Sequence, residues 1–181
     1  MAGSTSAARR YAEAAFQLAT RDDSFDVWAA DLAVSAQLIG DPRVAHLVNN
    51  PSLPLVDRQA LLGRLLADHV TPLTLNLVRL LDQRGRLRLL TAIAGEYTRL
   101  LDAKRGIVAA TVTSAAPLDA EETAAIKAQV ESMTGSTVKL ASAVDPDLIG
   151  GLTVQVGDRK IDASVRGRLE RLRDQLVAGS R

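Results

Sequence analysis

The chain has 181 residues, 47% of them apolar, and its formal net charge of +1 argues against a partner bound by bulk electrostatics, such as duplex nucleic acid. The absence of cysteine excludes disulfide bonds, thiolate metal sites and a cysteine nucleophile. No apolar run approaches the roughly 18 residues that cross a bilayer, and the first residues lack the apolar block of a signal peptide, so we expect a soluble protein without a membrane segment of its own.

The segment from Thr5 to Arg21 predicts a helix, because it is rich in alanine and contains neither proline nor glycine. Its apolar residues form two neighbouring stripes at helical spacing: Ala7, Tyr11, Ala14 and Leu18 in one, and Ala8, Ala12, Ala15 and Ala19 in the other. A helix that packs on one side needs only about 100° of apolar face. Two interpretations therefore remain open: a central helix buried by its own domain, or a docking groove for a partner helix.

Five further helices are predicted before residue 106, separated by glycine or proline. They run over residues 25–39, from 42, from 54, from 72 and over 86–105. Asp41–Pro42 and Thr71–Pro72 each pair a capping residue with a proline that suits the first helical position. Short connections between six helices predict an all-α bundle over residues 1–105.

After Gly106 the hydrophobic period changes from 3.6 residues to 2, which predicts strands. Asp119 and Glu122 form a capping-box pattern ahead of a helix that ends at Gly135. A strand at 138–144, in which Val138, Leu140 and Val144 alternate as in a half-buried strand, and a hairpin that turns at Gly157–Asp158 follow. The last helix carries a stripe of four apolar residues, Val165, Leu169, Leu172 and Leu176. The second half predicts a β-α-β-β-β-α domain over residues 106–181, so the chain is α+β and mostly α.

No residue pattern indicates catalysis. The motifs GxxxxGK[S/T], GxGxxG and GxSxG are absent from the sequence. His46 and His69 are isolated from each other, and the two aspartates of Asp145–Asp147 are more typical of a turn than of paired catalytic carboxylates. Gly150–Gly151 favours a bulge or a turn where two backbones meet. We expect no catalytic residue, no cofactor and no metal.

Two basic clusters have three possible interpretations. One comprises Arg79, Arg84, Arg86 and Arg88, and the other comprises Arg166, Arg168, Arg171 and Arg173. Such clusters can neutralise nucleic-acid phosphates, form a solvated face of mixed charge or meet an acidic protein. Aromatic residues make up only 3% of the chain and none lies in either cluster, so the solvated face is favoured and the acidic partner comes second.

Three segments resemble one known family. They are ARRYAEAAFQLA at residues 8–19, RLLDQRGRL at residues 79–87 and VDPDLIGGLTVQVGDRKIDASVRGRLERL at residues 144–172. In order and length they are similar to the delta subunit of the F-type rotary ATP synthase, whose mitochondrial counterpart is the oligomycin-sensitivity-conferring protein. The resemblance covers nearly the whole chain, and its last segment is long enough to be specific.

The resemblance implies a structural subunit rather than an enzyme. It implies a stator that connects the catalytic head to the peripheral stalk, so that the head does not rotate with the central shaft during proton-driven ATP synthesis. The six-helix bundle would bind the N-terminal helix of an alpha subunit between its first and fifth helices. The matching positions are Tyr11, Ala14, Leu18, Val78 and Leu81. The residues alone do not decide which stripe of the first helix faces outward, and the choice of Tyr11 follows the resemblance.

The resemblance further implies that the C-terminal domain meets the b subunits of the stalk, with Val165, Arg166 and Leu169 as candidate contacts. Membrane association would occur only through the complex, as a peripheral protein on the cytoplasmic face of the cell membrane. The alternative is a helical RNA- or regulator-binding adaptor, which predicts an affinity for RNA that falls steeply with salt. Gly167, inside the last predicted helix, costs about 1 kcal/mol relative to alanine, and we expect a neighbouring backbone to pass close to it.

Overall fold

The computed structural model describes residues 2–48, 53–157 and 159–169, with side chains from residue 6 onward. The chain divides into two compact units, Met1–Leu101 and Asp102–Arg181. The described residues are mostly helical, with one four-stranded sheet in the C-terminal part. This arrangement confirms the α+β, mostly α class.

The described part of the first unit consists of α-helices and one short 3-10 helix, Leu87–Leu89. The α-helices are α1 (Ala2–Asp22), α2 (Phe25–Gly40), α3 (Pro42–Val48), α4 (Leu55–Leu66), α5 (Pro72–Gln83) and α6 (Leu90–Lys104). The division between the units falls inside the last turn of α6.

The C-terminus of α5 is closed by a glycine. Gly85 has a φ of +62°, its N–H donates to the carbonyl of Asp82 at 2.9 Å, and the N–H of Arg86 donates to the carbonyl of Leu81 at 2.8 Å. These two bonds form a Schellman motif, which satisfies carbonyls at the helix end and fixes the direction of the chain that leaves it. The helix predicted from residue 86 therefore begins as the 3-10 helix and becomes α-helical only at Leu90.

One hydrophobic core joins all the helices of the first unit. Its buried residues come from every one of them and include Ala12 of α1, Trp28 of α2 and Val48 of α3, as well as Leu62, Leu81 and Ile93. The ring of Tyr97 is fully buried, and its hydroxyl donates to the carbonyl of Phe25 at 3.1 Å. Phe16 packs between these two rings, 5.2 Å from Phe25 and 5.7 Å from Tyr97, so aromatic contacts hold α1, α2 and α6 together.

Two carboxylates position α5 within this core. Asp31 of α2 is only 6% exposed, and its Oδ2 accepts hydrogen bonds from the Thr71 N–H at 2.8 Å, the Thr71 hydroxyl at 2.6 Å and the Thr74 hydroxyl at 2.9 Å. An anion at a helix N-terminus satisfies unpaired N–H groups and complements the helix dipole. Arg58 of α4 forms an ion pair with buried Asp82 of α5 at 2.6 Å. Sequence reasoning did not identify either carboxylate as buried.

The second unit is a sheet with helices. Its described elements are β1 (Ile107–Ser114), α7 (Ala120–Thr134), β2 (Thr137–Val144), β3 (Leu152–Val156) and β4 (Arg159–Asp162), followed by helical residues 165–169. The strand order is β2-β1-β3-β4. β1 pairs in parallel with β2, whereas β1 with β3 and β3 with β4 are antiparallel. Asp158 of the predicted hairpin turn, and Leu172 and Leu176 of the predicted last stripe, lie outside the described residues.

Among its described residues, the second unit has a core between α7 and the sheet. The buried residues of this core are Ala110, Val112, Val130, Val138 and Val154. The predicted capping box at the start of α7 is confirmed, since Asp119 Oδ1 accepts from the Glu122 N–H at 2.7 Å and Glu122 Oε2 accepts from the Asp119 N–H at 3.1 Å. Of the predicted half-buried β2 residues, Val138 is 1% exposed but Val144 is 50% exposed. β2 forms an edge of the sheet, so its side chains have a neighbouring strand on one side only.

Two glycines of the second unit sit in tight surroundings of different kinds. At Gly151, which has a φ of +79°, a Cβ atom would lie 2.6 Å from the carbonyl oxygen of Ala163. The Val165 N–H also donates to the carbonyl of Gly150 at 2.9 Å. The predicted turn where two backbones meet is therefore confirmed at Gly150–Gly151.

The expectation for Gly167 is wrong. A Cβ atom there would lie 2.6 Å from Oδ2 of Asp162, a side-chain atom, and the three nearest atoms all belong to that carboxylate. The same carboxylate accepts from the Ser164 N–H at 2.9 Å, and the Ser164 hydroxyl accepts from the Gly167 N–H at 3.0 Å. Gly167 thus makes room for a side-chain cap at the start of the last helix, not for a passing backbone.

Candidate protein-docking surfaces

The described residues place no set of reacting groups together. Among them, no group of three or more His, Cys, Asp or Glu side chains could hold a metal ion, and no helix in the described ranges is long and apolar enough to span a membrane. His46 and His69 are both exposed. Asp145 Oδ1 accepts from the Asp147 N–H at 3.0 Å, which is the turn that the sequence predicted.

The two stripes of α1 differ in burial. The stripe of small residues is buried, with Ala8, Ala12 and Ala19 at 0% exposure and Ala15 at 2%. In the other stripe Ala7 is also buried, but Tyr11 is half-buried, Ala14 is exposed and Leu18 is 38% exposed. α1 is therefore a central helix of its own unit and also has an outward apolar face, while the docking of a partner helix on that face stays a prediction. We call Tyr11, Ala14 and Leu18 the α1 stripe.

The two α5 residues expected beside the α1 stripe are not surface residues. Val78 and Leu81 are both 0% exposed and belong to the core of the first unit. In the chain without a partner they present no surface of their own, and their predicted place near the alpha-binding groove stays a prediction. α5 is apolar nearly all round, so sequence spacing alone could not separate its inner from its outer face.

The outward apolar residues of α5 are Leu73, Leu77 and Leu80, which we call the α5 stripe. Leu73 is 48% exposed, Leu80 is 40% exposed and Leu77 is half-buried. Their spacings of four and three residues place them on one helix face. Arg79 and Asp82 lie against α4 instead, so the α5 stripe occupies the flank of α5 that α4 does not cover.

A hydrogen bond connects the α1 stripe with the end of α5. Nη1 of Arg86, two residues after the C-cap of α5, donates to the hydroxyl of Tyr11 at 3.2 Å. Tyr11 therefore has its ring against the core and its hydroxyl beside an exposed guanidinium group. This contact links α1 with the segment that directly follows α5.

The second unit has an exposed apolar patch of its own. Val165 is 40% exposed, Leu169 is 55% exposed and Arg166 is also exposed. Ile149, which sequence reasoning missed, is 74% exposed and lies next to Gly150, whose Cβ would be 3.3 Å from Cγ2 of Val165. We call Ile149, Val165 and Leu169 the C-terminal patch. Ile149 could have been found from the sequence, because it is an isoleucine in a loop between two turn motifs, where a side chain is not expected to be buried.

A helical unit with an outward apolar stripe, joined to an α/β unit with a separate apolar patch, defines a protein that acts by binding other proteins through helix faces and loops. Comparison with known proteins identifies its family. The family model described as "ATP synthase delta (OSCP) subunit" matches residues 7–176. The chain belongs to the ATP synthase delta (OSCP) family.

Curated relatives and a solved structure agree with this assignment. The ATP synthase subunit delta of Dehalococcoides mccartyi (strain CBDB1) is 38% identical over 172 residues, which cover 95% of this chain and 94% of that protein. Its counterpart in Xanthomonas campestris pv. campestris is 41% identical over 170 residues, covering 94% of this chain and 95% of that one. A chain of the Toxoplasma gondii mitochondrial ATP synthase hexamer has a TM-score of 0.68 at 25% identity, covering 94% of this chain and 97% of that chain.

Family membership confirms the resemblance read from the sequence. The protein is a non-catalytic stator subunit of the F-type ATP synthase and part of that membrane-bound complex. The alternative of an RNA- or regulator-binding adaptor is not supported by any of these comparisons.

Proposed function

We propose that this stator subunit connects two neighbours through two separate surfaces. The first domain, residues 1–105 as a six-helix bundle, binds the N-terminal helix of an alpha subunit of the catalytic head. The second, residues 106–181 with the order β-α-β-β-β-α, binds the b subunits of the peripheral stalk. The complex places it on the cytoplasmic face of the cell membrane as a peripheral protein. The observation that carries the proposal is the α1 stripe, an outward apolar face on a helix whose neighbouring stripe of alanines is buried.

The mechanical requirement explains why such a protein needs surfaces and no reacting groups. A head that makes ATP around a turning shaft has to be kept from turning with it, so a connector needs a slow dissociation rate and stiffness. Nanomolar binding corresponds to about 12 kcal/mol. Burying the apolar face of a partner helix in a groove is a common way to reach such an affinity.

The α1 stripe suits an amphipathic helix. Exposed Ala14 lies between half-buried Tyr11 and partly exposed Leu18, so a partner backbone can approach closely at the centre and pack side chains against the two larger residues at either end. The α5 stripe supplies a second apolar face, while Val78 and Leu81 support α5 from within the core. We therefore propose Leu73, Leu77 and Leu80 as the α5 contacts.

The test is a calorimetric titration of the full chain with a peptide of the alpha N-terminal segment from the same organism. Ala14→Asp places an unpaired charge in the proposed groove and should cost several kcal/mol of binding, on the order of a hundredfold in Kd or more. The matched control is Ala33→Asp on α2, another exposed alanine, which lies outside the stripe and should bind as wild type does. Equal affinities of the Ala14→Asp and wild-type proteins would exclude Ala14 as a contact.

The C-terminal patch, with neighbouring Arg166, is the surface we propose for the b subunits. Leu169→Asp should abolish or strongly weaken binding of the soluble part of the b subunits, measured by sedimentation velocity of the mixture. Val56→Asp is a matched control, because Val56 of α4 is even more exposed, at 76% against 55%, and lies in the other unit. Binding of the b subunits by Leu169→Asp as strongly as by wild type, or an equal loss of binding in Val56→Asp, would refute this assignment.

A further inference from the structure

Two exposed arginines follow α5 at the edge of the α1 stripe. Arg84 is the C-cap residue of α5 and Arg86 comes two residues later, and both side chains are exposed. The hydrogen bond from Arg86 to the hydroxyl of Tyr11 fixes this basic group beside the first residue of the stripe. The stator function needs an apolar groove but does not by itself explain a positive charge at one end of it.

The position of Arg86 is determined on both sides. Its backbone is held by the Schellman motif at Gly85, through the bond from the Arg86 N–H to the carbonyl of Leu81. Its side chain is held by Tyr11, whose ring packs on the core. A guanidinium group has five N–H donors, and the hydroxyl of Tyr11 accepts from one nitrogen only. A partner carboxylate could therefore form a bidentate pair with the remaining donors.

The charge of Arg86 is not neutralised by the described part of the chain. Arg9 pairs with Glu13 at 2.9 Å, and Arg43 pairs with Asp41 at 3.2 Å. No carboxylate of the described residues forms an ion pair with Arg84 or Arg86. Asp82, the acidic residue nearest to them in sequence, is buried and paired with Arg58.

We propose that the helix bound on the α1 stripe carries a carboxylate at the end that lies over Arg86. This rests on the proposed binding of an alpha-subunit helix and adds the polarity of that helix. An apolar stripe alone would accept a helix in either direction, whereas an acidic residue at one end pairs with Arg86 in only one of them. The charge pair thus sets direction and register, the part that rim charges generally play at interfaces.

The test uses the full chain and the alpha N-terminal peptide, titrated at about 0.1 M and about 1 M salt, where screening lengths differ roughly threefold. Arg86→Gln should weaken binding about three- to fivefold at the lower salt, the range of an exposed ion pair, and should reduce the salt dependence. Arg86→Lys should keep the salt dependence but lose part of the affinity, because lysine cannot pair in a bidentate manner. Arg99→Gln, which removes another exposed arginine, one that pairs with Glu96 of α6, should change the affinity less than twofold.

A double-mutant cycle then identifies the acidic partner. Each acidic residue of the peptide is changed in turn to its amide, and each peptide is titrated against wild type and Arg86→Gln. One position should lose affinity with wild type and show no further loss with Arg86→Gln.

If the unmodified peptide binds but no acidic position couples to Arg86, the inference is overturned and the docking surface stands. If the unmodified peptide does not bind the wild-type chain, both fall. The inference would also be overturned if an RNA oligonucleotide displaced the peptide from the wild-type chain but not from Arg86→Gln.

Discussion

The described parts of the two units bury their apolar residues to different extents. In the first unit every α-helix contributes to one core, and α1 alone contributes four alanines that are at most 2% exposed. In the described part of the second unit the core has five buried residues, and α7, a helix of 15 residues, buries only Val130. An open apolar pocket of about 340 Å³ lies beside it, lined by residues that include Ile126, Met133 and Ile161.

This difference indicates how each unit meets its partner. The described part of the first unit has one core that every α-helix joins, and it offers the α1 stripe and the α5 stripe in addition, so its stability and its binding reside in different residues. In the described part of the second unit, apolar side chains such as Ile149 and Leu169 remain mostly exposed. A patch of that kind on a small core is typical of a surface that a partner covers. Stability in the second unit should therefore depend more on local backbone geometry than on large buried side chains.

The largest effect is expected from the core of the first unit. Leu81→Ala removes a fully buried side chain and should lower the free energy of unfolding by about 2–5 kcal/mol. Leu80→Ala, one residue away and 40% exposed, should cost under about 1 kcal/mol. Urea titration followed by fluorescence reports on this unit directly, because the single tryptophan is buried Trp28 of α2. Equal costs for the two variants would contradict the division of α5 into an inner and an outer face.

In the second unit a glycine should matter most. Gly151→Ala combines a positive φ with a Cβ atom 2.6 Å from a backbone oxygen, and should cost clearly more than the roughly 1–2 kcal/mol of the backbone conformation alone. Gly157→Ala is the matched control, since its φ is +56° and no atom lies within 4 Å of its Cβ position. Hydrogen exchange of the β3 amides measures both costs. Indistinguishable exchange rates in the two variants would show that the contact with Ala163 is not tight.

A smaller effect on stability is expected from Gly167→Ala, and its sign should differ between the wild type and an Asp162→Ala background. Alanine there should gain helix propensity of about 1 kcal/mol but force the Asp162 carboxylate away from its hydrogen bond with the Ser164 N–H. Gly167→Ala should therefore be close to neutral or slightly destabilising in the wild type and stabilising in an Asp162→Ala background. Thermal unfolding of the four proteins of this cycle measures the coupling. An identical effect of Gly167→Ala in both backgrounds would rule out steric competition with Asp162.

The smallest effect concerns an exposed pair in the first unit. The side-chain hydrogen bond from Arg43, together with the Arg43 N–H, lowers the pKa of Asp41 below its ordinary value. Arg43→Ala should raise this pKa toward the ordinary value, as measured by NMR titration of the carboxyl carbon. A pKa depressed by folding stabilises the folded state at neutral pH, and this contribution disappears as the pH falls through the folded-state value. The variant should thus lose a little stability at neutral pH and none in strong acid; an unchanged pKa would contradict the contact.

Much of the fold can be predicted from the sequence, because the hydrophobic period and the capping and turn residues indicate the same element boundaries along the chain. The change of period at Gly106, the capping box at Asp119 and the turn at Gly150–Gly151 each rest on local chemistry that the structure reproduces. The α1 stripe could also be proposed, since two apolar stripes are more than one packed face requires.

The sequence could not predict the features that depend on tertiary packing, such as which face of a helix is buried and which distant residue caps it. Val78 and Leu80 look alike on an α5 that is apolar nearly all round, and only the ion pair of Asp82 with α4 shows which side is covered. The cap on α5 comes from Asp31, 40 residues before Thr71, and no local pattern indicates it. The sequence likewise gives no reason to group Ile149 with Val165. Only the structure does so, because it places Gly150, the residue after Ile149, against the side chain of Val165.

The most direct test of the central claim, that the α1 stripe holds the catalytic head, is ATP hydrolysis retained on washed membranes from cells carrying each variant chain. With Ala14→Asp the head should be released, so membrane-bound ATPase activity and proton-driven ATP synthesis should both fall severalfold or more, while Ala33→Asp retains both. Because an unpaired charge in an apolar interface costs several kcal/mol, the loss should be largest at low head concentration. Full retention of ATPase activity on Ala14→Asp membranes would contradict the account.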